Sequence, residues 1–133
     1  MKIIINIDVP DLATAIEFYI NAIGLKLSRI LDKDVAELVG ASSVIYLLQK
    51  PTGSVTSKNS SIDRYYSRHW TPVHIDFVVE NLDEAKEKAI KAGAKLEREC
   101  GEWNGSRCIT FADPFGNGFC LIKFEGETYV SSS

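Results

Sequence analysis

The feature that most constrains this chain is an internal repeat. Residues 4–12 lie over residues 74–82, seventy residues further on, and Gly24 lies over Gly93 after one gap. Ile45-Tyr46-Leu47-Leu48 lies over Phe119-Cys120-Leu121-Ile122. A duplication of this kind implies two copies of one supersecondary unit. In the first copy Ile3, Ile5, Ile7 and Val9 alternate with Ile4, Asn6 and Asp8, the pattern of a strand with one apolar face. Pro10-Asp11 opens a helix with an apolar stripe of Leu12, Ile16, Tyr19, Ile20 and Ile23, and Gly24 stops it.

The second copy repeats the plan. Residues 71–80 read as a strand, with Ile75, Phe77 and Val79 on one face and His74, Asp76 and Val78 on the other. Asn81 caps the next helix, with Glu84 three residues on, a variant of the capping box. The helix stripe is Leu82, Ala85, Ala89 and Ala92, and Gly93 ends it. Each helix is followed by three strand candidates: 26–31, 35–39 and 44–49 in the first copy, 95–103, 107–112 and 119–124 in the second. Asn104-Gly105 is a hairpin turn, and residues 113–118 are dense in turn formers.

At 133 residues the chain is long enough to bury roughly two-thirds of its unfolded surface in a core. Module one spans about residues 1–50, a connector leads to about 70 with its Ser-, Thr-, Gly- and Lys-rich part from 51 to about 61 read as mobile, module two spans about 71–125, and 126–133 form a tail. The net charge of -3, with both signs interspersed, argues against a nucleic-acid partner. No apolar run reaches the length of a membrane span. Asn6 and Asp8 interrupt the N-terminal isoleucines too early for a signal peptide, and three cysteines without CxxC spacing suggest reduced thiols and a cytoplasmic setting.

Residues 5–12 with Ala15, Phe18-Tyr19 and Ile23-Gly24-Leu25, the repeat 74–79, and Asp113-Pro114-Phe115-Gly116-Asn117 together resemble the vicinal oxygen chelate superfamily. That superfamily includes glyoxalase I, bleomycin- and fosfomycin-resistance proteins and extradiol dioxygenases. The resemblance implies an α+β fold of two tandem βαβββ modules in a single domain, 1–133. Their mixed sheets would curl into a cupped, half-open barrel with helices on the outer face and ligand in the concavity. It also implies a homodimer.

Metal-dependent members of the superfamily carry four cup-facing ligands at duplicated positions. Carried over, these positions are Ile4, Tyr46, His74 and Cys120. Isoleucine cannot ligate and a neutral tyrosine ligates poorly, so two donors remain, with Asp76 a third two residues from His74. The expectation is therefore no metal and no cofactor. His74 and Asp76 are the candidate proton-transfer or hydrogen-bonding pair. Cys120 is read as a small side chain of the cup wall, because a buried thiol is a poor nucleophile.

The cluster Arg64-Tyr65-Tyr66 and Arg68-His69-Trp70 is either a lid over the ligand or a packing element. Tyr66 and Trp70 are assigned to ligand, Tyr65 and Arg68 to packing. His69 and His74 lie on opposite faces of an extended chain and make no metal pair. Trp103 flanks the hairpin turn at a cup rim and is a further candidate contact.

The function expected is binding of a small, mostly apolar or aromatic molecule without metal, in a cup lined by Ile4, Asn6, Tyr46, His74, Asp76 and Cys120. The alternative is a glyoxalase-like lyase or isomerase, with or without metal, moving protons through His74 and Asp76. A third expectation is a regulatory or interaction module whose cup is a packed core.

Overall fold

Strand β1 (Ile4–Val9) feeds helix α1 (Leu12–Ile23), and three strands follow: β2 (Lys26–Leu31), β3 (Val35–Val39) and β4 (Val44–Gln49). The order then repeats as β5 (Ile75–Val78), α2 (Leu82–Lys91), β6 (Lys95–Trp103), β7 (Ser106–Ala112) and β8 (Gly118–Phe124). The computed structural model describes residues 1–59, 61–103 and 105–125, without the side chains of 100, 101 and 103. Asn104 of the expected hairpin turn and the expected tail 126–133 lie outside the described residues. The chain divides into two compact units, Met1–Ser67 and Arg68–Ser133.

Each unit is a four-stranded mixed sheet, β1-β4-β3-β2 in the first and β5-β8-β7-β6 in the second. In both, the strand before the helix pairs parallel with the last strand, and the remaining pairs are antiparallel. The α+β class and the two βαβββ modules expected from the sequence are present. The register carries the duplication to single residues. Asn6 stands beside Tyr46 in the first sheet, and Asp76 beside Cys120 in the second. The edge strands β2 and β6 carry an irregularity at matching places, Leu27/Arg29 and Leu96/Arg98, and β6 has a second between Glu99 and Glu102.

Both helices start where the caps predict, but the buried face of α1 is turned from the expected stripe, of which only Leu12 and Tyr19 are buried while Ile16, Ile20 and Ile23 stay partly exposed. The Asp11 carboxylate accepts the Thr14 amide at 3.0 Å, and the Asn81 side chain accepts the Glu84 amide at 3.0 Å. Gly24 ends α1 at φ 86, in the left-handed region that a Cβ disfavours. Leu12, Ala15, Phe18, Tyr19 and Ala22 of α1 are buried, as are Ile45 and Leu47 of β4 on the facing side of the first sheet. In the second unit Leu82 and Ala89 of α2 are buried, with Phe77, Phe111, Phe119 and Leu121 of the sheet. Phe119 stacks on Phe111 at 5.5 Å and meets Phe77 edge-on at 5.9 Å. Among the described residues no helix is long and apolar enough to cross a membrane.

Two expectations are corrected. The strand expected over 71–80 is only Ile75–Val78. Its ladder begins at Ile75 beside Phe119, and residues 71–74 have no place in it. His74 therefore sits just ahead of β5 rather than within it. The expected mobile connector is instead folded back on the first unit. Val55 bridges Asp63, the Gly53 amide donates to the Arg64 carbonyl, the Arg64 amide donates to the Ser54 carbonyl, and the Thr56 hydroxyl donates to the Ile62 carbonyl. The Arg64 guanidinium donates to the Asp8 carboxylate at 2.8 Å and to the Val55 carbonyl at 2.6 Å. Turn-rich composition marks a loop but does not reveal such long-range partners.

Candidate functional site

The sheet faces turned away from the helices carry different chemistry in the two units. In the first unit Tyr46 and Glu37 are cross-strand neighbours. The Tyr46 hydroxyl donates to Glu37 at 3.0 Å, and Arg29 closes a two-pronged pair on the same carboxylate at 3.1 and 3.2 Å. Hydrogen bonding from Arg29 holds the Glu37 carboxyl below its ordinary range. Neither Ile4, half exposed at the start of β1, nor Asn6 beside Tyr46 supplies a titratable group. This face carries an ion-pair network, with the Arg29 side chain exposed at 60%. The signal for it in the sequence is Glu37, a lone charge within Val-Ala-Glu-Leu-Val.

The second unit's corresponding face holds His74, Asp76 and Cys120. The Nε2 of His74 lies 3.2 Å from Oδ1 of Asp76, and both side chains are exposed, at 59% and 43%. Asp76 and Cys120 stand side by side on β5 and β8. One ligand-type atom from each of the three residues lies within 4.8 Å of the others. Cys120 itself is buried, and its sulfur is 3.5 Å from the Thr110 hydroxyl on β7. Burial pushes the Cys120 thiol up. Hydrogen bonds with Thr110 and Cys108 offset part of that rise, and the negative charge of Asp76 adds to it. A protonated thiol in this setting is a weak nucleophile.

Arg68 flanks this cluster. Its guanidinium makes a two-pronged pair with Glu97 at 2.6 and 3.0 Å and donates to the His69 carbonyl at 3.0 Å. It lies directly over Gly118, where a Cβ would come within 2.7–2.8 Å of three guanidinium atoms. Gly118 and Cys120 share one face of β8, since side chains alternate along a strand. The Glu97 pair raises the Arg68 pKa further, so the group stays cationic. The sequence assigns Arg68 to packing and carries no signal that pairs it with Glu97, twenty-nine residues away.

The remaining expected contacts are placed as follows. The Tyr66 hydroxyl donates to the Lys50 carbonyl at 2.6 Å, which ties the folded-back segment to the first unit. Trp70 and Tyr65 are exposed, at 82% and 70%. The Trp103 side chain lies outside the described residues. Asp113 is buried in the turn before β8. Its carboxylate accepts the Phe115 and Asn117 amides and the Asn117 side-chain NH2, a structural role that accounts for this turn without chemistry.

The donor set of His74, Asp76 and Cys120 supplies one nitrogen, one oxygen and one sulfur. It suits a borderline-soft cation better than a hard one, because sulfur donors favour zinc-like ions over magnesium or calcium. Asp76 is the donor that carrying over the duplicated positions left out.

Comparison with known proteins agrees with the fold. A family model described as a glyoxalase-like domain matches residues 4–122. Among solved structures, the fosfomycin resistance protein FosX from Listeria monocytogenes is 22% identical with a TM-score of 0.67, over 93% of this chain and 91% of that one. A lactoylglutathione lyase from Agrobacterium tumefaciens is 18% identical with a TM-score of 0.65, over 92% of each chain. A glyoxalase / bleomycin resistance protein from Catenulispora acidiphila is 17% identical with a TM-score of 0.64, over 92% of this chain and 97% of that one. No curated protein matches the chain in sequence.

Proposed function

The chain belongs to the glyoxalase-like domain family of the vicinal oxygen chelate superfamily, and from that premise we propose that it binds a small, mostly apolar or aromatic molecule. The ligand rests against the helix-free face of the second sheet, with His74 and Asp76 as its polar anchor. The observation that carries this reading is the His74–Asp76 contact of 3.2 Å, left exposed beside buried Cys120. An imidazole and a carboxylate in contact can together donate to and accept from one ligand group. Val78, exposed at 55% on the same side of β5 as Asp76, gives that face an apolar component. FosX and the bleomycin resistance protein are named for resistance to small molecules, which supports a binding role.

The same pair supports a second reading, a lyase or isomerase in which His74 shuttles a proton and Asp76 orients its ring. The lactoylglutathione lyase among the similar structures lends weight to it.

His74→Ala separates the two. For a binder the loss falls on affinity, because removing a hydrogen bond to a charged group costs about 1.5–3 kcal/mol, or roughly 10- to 150-fold in Kd. For an enzyme kcat falls about 10²- to 10⁴-fold while affinity holds. A compound library screened by calorimetry, with turnover followed on each hit, reads both. Hits that bind wild type and His74→Ala equally, with no turnover in either, would refute both readings. Pairing into a homodimer belongs to the same proposal on the strength of the family resemblance, and sedimentation velocity tests it.

A further inference from the structure

We propose that His74, Asp76 and Cys120 form a mononuclear site for a thiophilic divalent cation such as zinc, built wholly within the second unit. This goes beyond the binding reading, which calls on no cation. It also differs from the four-position arrangement that the resemblance implies. That arrangement draws on Ile4 and Tyr46 of the first unit, which offer an alkyl chain and a phenol already donating to Glu37. Here Asp76, outside those four positions, supplies the third donor.

The geometry comes close to what a cation needs. With bonds of 2.0–2.3 Å, ligand atoms around a tetrahedral zinc stand roughly 3.5 Å apart. His74 Nε2 and Asp76 Oδ1 are already 3.2 Å apart, and all three donor atoms lie within 4.8 Å of one another. His74 and Asp76 are exposed, so small rotamer changes can close the set around an ion. Cys120 is fixed in the buried centre of the sheet, with the Thr110 hydroxyl at 3.5 Å to hydrogen-bond a thiolate. Binding exchanges the thiol proton for the cation, and the proton leaves to solvent. Three protein ligands leave a coordination position for water or a ligand oxygen.

Cobalt(II) is the probe, titrated into the full-length, reduced protein and followed by absorption. The expected result is one equivalent bound with a thiolate-to-cobalt charge-transfer band, displaced by zinc and not by magnesium. Cys120→Ser should abolish the band. Loss of even an outer partner of a metal ligand costs about 10- to 100-fold in affinity, so His74→Ala and Asp76→Asn should each weaken binding by more than about tenfold. His69→Ala should leave it unchanged. No charge-transfer band in wild type, a band that survives Cys120→Ser, or unchanged affinity in Asp76→Asn would each overturn the site. If Cys120→Ser does not fold, the two variants at the exposed positions 74 and 76 decide the matter. Failure of the cation site leaves the small-molecule reading standing, since that is measured with organic compounds in the absence of metal.

Discussion

Arg68 can lie across the second sheet only because residue 118 has no Cβ. The backbone there is not in the left-handed region, so alanine is locally acceptable and the cost of adding it comes from the guanidinium alone. Gly118→Ala should therefore displace Arg68 from Glu97 and cost about as much as Arg68→Ala. The ceiling is roughly 1 kcal/mol, because partly exposed ion pairs are worth about 0–1 kcal/mol. With Arg68 already replaced by alanine, Gly118→Ala should cost nothing. A double-mutant cycle by urea unfolding checks this, and additive losses would show that Gly118 serves some other purpose. At this scale the sequence was least informative. His74, Asp76 and Cys120 could be singled out because strand parity and the repeat place them. The Arg68–Glu97 and Tyr46–Glu37–Arg29 contacts could not, because they depend on which charged groups meet across strands.

At the scale of elements the repeat made nearly all the architecture legible. Capping residues fixed both helix starts, and glycines fixed both ends. The shortfall lies at β5, where period-two alternation runs on through Val73 and His74 but the partner strand does not. Alternation records which face a residue prefers and does not record whether a neighbour is present to pair with it. The first sheet offers its own test. Glu37 is held below its ordinary range, first by the Arg29 hydrogen bond and also by Tyr46 and Ser28. A depressed carboxylate contributes stability that is fully present above the unfolded value of about 4.3 and is lost as pH falls through the folded value. Melting temperatures of wild type and Glu37→Gln should thus differ most near neutrality and converge as the solution is acidified through that range. A constant gap at all pH values would remove the ion pair from the account.

For the molecule as a whole, the duplication has been used asymmetrically. The two units keep the same strand order and register and share an edge-strand irregularity at matching places. Yet on the helix-free face the first unit ties its Arg29 and Glu37 into an Arg–Glu–Tyr network, while the second places an exposed His–Asp pair beside a buried thiol. Family membership alone does not predict this division. It follows from a few residue identities, Ile4 against His74 and Tyr46 against Cys120 above all. The central claim, that ligand binds on the second unit's face, is tested most directly by backbone hydrogen–deuterium exchange with and without a stabilising compound from the calorimetric screen. Binding should slow exchange at residues 74–78 and 118–122 and leave residues 4–9 and 44–49 little changed. Protection confined to residues 4–9 and 44–49, with 74–78 unaffected, would contradict it.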